Sequence, residues 1–248
     1  MEYYLPLYFQ SVQIASPFRS GILLLPFILT EALLSLVAGL VIHATGRYQE
    51  IIWIGMTLVV LGAGLLIDYG VDTSLGKIIG YQMVAGSGCG LLFTPPLIAL
   101  QSGIKQSETA SATATFGFIR NVAMALSVVI GGVVFQNGMN TQQSSLRRAG
   151  LSPSLMAEFT GAEAAANVVA IHAVKDPQQR QAVTSAFAWG LRNIWILYTA
   201  LAACGLIASA FIRHQHLSHE HIETKTGLKE KEPSAVSNAP LDSGLPSS

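Results

Sequence analysis

Apolar residues in this chain come in long unbroken runs, with charged residues standing at the edges of the runs and seldom inside them. After a short N-terminal stub, five such intervals follow at 20–43, 51–67, 78–101, 113–135 and 193–212. A helix rises 1.5 Å per residue, so about 20 apolar residues cover the ~30 Å hydrocarbon layer of a bilayer. Each interval therefore predicts a membrane-spanning helix. The 51–67 interval is short, but Gly55, Gly62 and Gly64 permit close packing, and a modest mismatch is tolerated. Residues 1–14 are too few to cross and read as the outer end of a helix whose beginning lies upstream. The fold class that follows is an all-α membrane protein, a partial helical bundle of about five complete transmembrane helices plus an N-terminal partial helix.

The polar stretches "HATGRYQE", "DYGVDTSLGK" and "SGIKQSETASA" predict turns between antiparallel helices, whereas 136–192 is a long mixed segment. Within it Asp176 is placed as an N-cap and Pro177 as the first helical residue, so a helix starts there and runs into the last span. The preceding "SPSLMAEFTGAEAAANVVAIHAV" is weakly amphipathic and predicts a stretch lying along the membrane interface. Residues 1–213 form the expected transmembrane bundle. The Ser-, Pro-, Lys- and Glu-rich 214–248 predicts a disordered tail.

Composition agrees with the pattern: 51% of the 248 residues are hydrophobic and 11% charged, against roughly 25% charged in soluble domains. Basic and acidic residues balance at 14 each, which leaves no field to recruit nucleic acid. Loop charges decide orientation weakly, because Arg19 and Lys77 oppose Arg47 and Lys105. Arg213, Lys225 and Lys229 tip the expectation to a cytoplasmic C-terminus with 136–192 outside the cell. The start, "MEYYLPL", lacks the basic flank of a cleavable signal peptide. Cys89 and Cys204 sit in apolar runs, as free thiols do. His214, His216, His219 and His221 have no supporting cysteine or scaffold and predict a solvated segment rather than a metal site. "GSGCG" has no preceding strand and no Lys-Ser/Thr, so it is no phosphate loop, and no nucleophile, base and orienter group together. No enzyme and no cofactor are expected.

The chemistry lies in residues that break the apolar pattern. Glu31 stands about 16 Å along the first span, and an acid at such depth is by default a proton or ion site. Helical spacing puts it on a small, polar stripe with Ser35 and Ala38. The structural alternative is a protonated glutamate that bonds a neighbouring helix. Arg120 is the matching buried-cation candidate, on a stripe with Thr113, Gly117, Ser127 and Gly131; its alternative is snorkelling to the interface. A direct or water-bridged Glu31–Arg120 pair is compatible with their depths. Gly86 and Gly90 have the interval of a close-packing face, and Pro95 and Pro96 kink the same span. Gln10, Tyr81 and Gln82 are candidates to line a cavity, the alternative for the last two being an aromatic belt with a solvated amide.

Together "YYLPLYFQ", "SPFRSGILLLP", the "TGRY" turn, "GYQMVAGSGCGL" and "FGFIRN" resemble the C-terminal half of a major facilitator superfamily transporter. The similarity points to the fungal fourteen-span drug:proton antiporter group of multidrug and toxin efflux pumps, over about residues 3–213. The resemblance implies inward termini, a long outside loop before the final span and alternating access by two bundles rocking about a midplane site. It also implies a plasma-membrane exporter whose partners are the lipid bilayer, a small amphipathic substrate, protons and an N-terminal transporter half that this sequence does not contain. Two other expectations stand beside it: a relative that carries a siderophore or another solute, and a membrane interaction fragment that transports nothing.

Overall fold

The structure is a computed structural model, and it describes residues 1–161 and 163–211. The run of histidines from His214 and the expected tail lie outside the described residues. A short α1 (Tyr4–Ser11) is followed by α2 (Pro17–Thr45), α3 (Gln49–Leu66), α4 (Leu75–Leu91), α5 (Pro95–Ser102) and α6 (Thr109–Thr141). Three short helices, α7 (Gln143–Arg148), α8 (Pro153–Glu158) and α9 (Glu163–Ala166), and a 3-10 turn (Val168–Ala173) lead to α10 (Pro177–Ser209). The helix boundaries carry ordinary punctuation. Ser16 caps α2 by accepting a hydrogen bond from the Arg19 N–H, with Pro17 opening the helix, and Gly46 ends it at φ 69°, where glycine adopts the left-handed conformation without strain. Asp176 caps α10 through the Gln178 N–H at 2.9 Å, as the sequence anticipates.

Long helices pack in a chain of neighbours: α2 on α4, α4 on α3, α3 on α10 and α10 on α6, while α1 packs on α2 and α10. The connections after α1, α3 and α6 meet at one end of the bundle, which we term the loop end; there the Tyr8 hydroxyl donates to the Gly70 carbonyl at 2.8 Å. At the opposite end the Trp53 indole N–H donates to Ser209 O at 3.0 Å. Among the described residues, five helical stretches are long and apolar enough to cross a membrane: Pro17–Thr45, Gln49–Leu66, Leu75–Ser102, Gln106–Arg148 and Pro177–Ser209. Their outward faces are apolar as well, with Leu33, Leu36 and Leu40 of α2 and Phe118 of α6 all more than half exposed. Such faces suit lipid and not water. The chain is an integral, multi-pass membrane protein.

Two expectations need correction. The segment expected at 136–192 starts later than expected, because α6 continues to Thr141, while its end carries the helix expected from Pro177, α10. Counting uncharged intervals stops a span at its first charge, whereas α10 carries Arg180 in its first turn and Arg192 near its middle. Nor is the connection one interfacial helix. It breaks into short turns that dock on the bundle, burying Leu146, Phe159, Ala164 and Ile171 completely, with the Phe159 ring edge-on to Phe187 at 6.2 Å. Its apolar residues are spaced too irregularly for one lipid-facing stripe, and protein offers them a fitted surface instead.

Candidate functional site

α4 is the pivot of the arrangement because glycine removes side-chain bulk from both of its packed faces. A Cβ at Gly86 would lie 2.5 Å from the Phe27 carbonyl oxygen, and one at Gly90 would run into the Glu31 carbonyl. Residues 86 and 90 are thus matched, four apart, to residues 27 and 31 of α2. On the other side, a Cβ at Gly88 would lie 2.5 Å from the Val59 nitrogen of α3, and one at Gly62 of α3 the same distance from Ala85 Cα. The expected close-packing interval therefore meets α2, while Gly88 and Ala85 serve α3.

This contact positions Glu31. It stands midway along the 29-residue α2, on the stripe of Phe27, Ala38 and Ile42 that turns toward protein. Its side chain is half-buried, and the charges of Glu2 and Arg120 both act on it. Glu31 and Arg120 do not form a direct ion pair; the ion pairs described are Arg47–Glu50 at 3.4 Å and Lys77–Asp68 at 2.8 Å. The Arg120 guanidinium instead lies 4.3 Å above the Phe93 ring. Aromatic faces attract cations, and the attraction grows where water is scarce.

Phe93 sits where the predicted kinked span becomes two helices. The backbone tightens, with Leu92 N–H bonded to Cys89 O and Phe93 N–H to Gly90 O at 3.1 and 3.2 Å, and α5 starts at Pro95. Pro95 and Pro96 have no N–H, so the Leu91 and Leu92 carbonyls lack their helical donors. That break presents a negative helix end at the level of Arg120. The Arg120 cation and the Phe93 ring thus meet beside the break between α4 and α5.

Each remaining candidate has a definite place. Gln82 is fully buried, and its Nε2 donates to Leu23 O at 2.9 Å and Ile78 O at 3.2 Å, so it is a packing residue between α2 and α4 and not part of an open wall. Its Oε1 has no partner. Tyr81 stacks on Tyr69 (5.9 Å between centroids) and donates to Asp68 Oδ2 at 3.2 Å. Gln10 lines a cavity of about 400 Å³ at the loop end, together with Tyr4, Phe135 and Gln136.

Several residues escaped the sequence reading. The Tyr4 and Tyr198 hydroxyls donate to consecutive α6 carbonyls, Val128 O at 2.6 Å and Ser127 O at 3.0 Å, and they lie where a Cβ at Gly131 would have to go. Tyr8, Tyr69 and Tyr81 form a stack across the loop end. Beside it, Asp68 accepts a short hydrogen bond from Lys77, and this bond first, then the Tyr81 hydroxyl and the Lys77 charge, holds its carboxyl below the usual range. The tyrosine-rich "YYLPLY" was a visible signal, but hydropathy treats such residues as interface markers and says nothing of their partners.

Comparison with known proteins completes this geometry. Over 227 residues, 92% of its length, the chain is 42% identical to "Efflux pump dotC" of Dothistroma septosporum, of which it covers 38%. It is 42% identical over 226 residues to "MFS-type transporter ppz2" of Metarhizium majus, covering 39% of that protein. The chain is similar to part of a fungal major facilitator transporter. With "Efflux pump FUS6" of Gibberella fujikuroi the identity is 31% over 233 residues, and 42% of that transporter is covered. The chain thus spans about two-fifths of the length of the curated relatives it matches. No protein-family model matches it, and no solved structure does.

Proposed function

We propose that this chain forms the C-terminal bundle of a fungal efflux transporter that exports small amphipathic compounds by alternating access in exchange for protons. Glu31 is the proton-coupling group and Arg120 the fixed cation of the same level. The observation that carries this reading is a half-buried acid midway along α2, pressed by backbone contact against a glycine-faced and broken α4. An acid on a protein-facing stripe changes surroundings when helices shift, so its protonation and the conformation become linked. The names of the relatives support the direction of transport. In this reading the chain works with an N-terminal bundle in the plasma membrane, with the C-terminus inside and α1 and the α6–α10 connection toward the outer face.

The deciding experiment is efflux against pH for a transporter containing this bundle in sealed vesicles, at matched expression. Glu31→Gln keeps shape and removes titration, so it should fold normally and flatten the pH profile. An unchanged profile makes Glu31 a structural residue. Arg120→Ala should lose more activity than Arg120→Lys; near-normal transport in both would refute a role for the cation. This polypeptide alone should insert without transporting, because one bundle supplies one wall of a two-walled path. Proton-driven efflux by it alone would overturn the need for a partner bundle.

A further inference from the structure

The cavity at the loop end is separate from Glu31 and Arg120, neither of which lines it, and its composition is specific. It measures about 400 Å³, within the ~300–1,000 Å³ of small-molecule sites, and is bordered by α1, α6, α9 and the 3-10 turn that follows. None of its twelve lining residues is Asp, Glu, Lys, Arg or His. A charged ligand would lose its hydration there and find no counter-charge. Leu7, Val128, Phe135 and Val168 give the wall apolar stretches beside its polar groups, and Gly132 leaves room where α6 faces Tyr4.

The polar groups differ in availability. The Tyr4 hydroxyl proton is committed to Val128 O at 2.6 Å, so toward the cavity this group can only accept. Gln10 and Gln136 are both half-buried, and no hydrogen bond to another group of the described protein occupies either carboxamide. Each amide offers two N–H donors and a carbonyl acceptor. We infer that this cavity is a binding site for an uncharged, partly apolar small molecule with hydrogen-bonding groups, held by Gln10 and Gln136. Apolar walls supply affinity and the two amides supply orientation, as in small-molecule sites generally.

The test measures binding by the whole chain in phosphatidylcholine nanodiscs, so its failure would leave the transport proposal standing. Benzophenone, a neutral photoprobe whose ketone accepts hydrogen bonds, is irradiated with the protein and its adducts mapped by peptide mass spectrometry. Adducts should concentrate on residues 128–136 and 165–169, be displaced by neutral Nile red and resist cationic tetraphenylphosphonium. Gly132→Leu should abolish this labelling by filling the space; a Cβ there meets only the Tyr4 hydroxyl, at 3.6 Å, so the helix tolerates it. Gln136→Leu, a second and milder variant, should weaken labelling about three- to tenfold, the effect of one lost hydrogen bond. Adducts spread over lipid-facing residues such as Leu33 and Phe118, with neither variant changing the pattern, would overturn the assignment. Equal displacement by tetraphenylphosphonium would overturn the claim that the site takes uncharged compounds.

Discussion

Gly86→Ala tests whether backbone contact between α2 and α4 holds the bundle together. The added methyl carbon would sit 2.5 Å from Phe27 O, whereas ordinary van der Waals contact begins at 3.4 Å, so the helices must part by the difference, 0.9 Å. A gap of that size forfeits roughly a quarter to half of the attraction between the atoms it separates, and overpacking of this kind costs about 1–3 kcal/mol. Gly80→Ala on the same helix is the control. Nothing lies within 4 Å of its added Cβ, so only the gain in helix propensity remains, up to about 1 kcal/mol in water. Unfolding equilibria in mixed micelles should therefore place Gly86→Ala below wild type and Gly80→Ala at or above it. Gly86→Ala/Gly90→Ala should lose less than the two single losses added, because one retreat of α2 relieves both clashes. Equal stability of Gly86→Ala and Gly80→Ala would refute the reasoning.

Gln82→Leu should change stability by less than about 1 kcal/mol, since it removes the amide's two hydrogen bonds and its unpartnered Oε1 together, while Gln82→Glu should be clearly destabilising; the same unfolding assay separates them. Tyr4→Phe and Tyr198→Phe should each cost about 0.5–1.5 kcal/mol and speed amide exchange in α6, and unchanged exchange in both would dismiss their hydroxyls as ties. Asp68 has a folded pKa below its ordinary 3.8, so its tie to Lys77 and Tyr81 contributes fully above that value and is lost as pH falls through the lower folded one. Amide exchange of residues 68–74, corrected for intrinsic rates, should stay flat from about pH 8 to 5 and rise only in stronger acid. Asp68→Asn should exchange faster than wild type from about pH 8 to 5 and converge with it in stronger acid; a transition near neutrality would contradict the assignment.

By itself the sequence determined the number and kind of the spanning elements. Runs free of charge force a helix wherever lipid excludes water from the backbone, and Ser16, Pro17, Gly46, Asp176 and Pro177 mark ends through bonds made within a few residues. Both signals are local, so they survive without knowledge of neighbours. Tertiary structure alone decided what each helix touches. Gly86 and Gly90 were legible as a packing face, yet spacing could not tell that it faces Phe27 and Glu31 while Gly88, two residues away, faces Val59. The depths of Glu31 and Arg120 were legible too, but depth along two helices does not place them side by side, and Arg120 settles on Phe93. The α6–α10 connection shows the same limit, since its weak amphipathicity suited an interface and the bundle end offered Phe159 and Ile171 a better-fitting surface. In lipid every helix already has an apolar solvent, so hydrophobicity selects what enters the membrane, and close packing between particular backbones and side chains selects the partner.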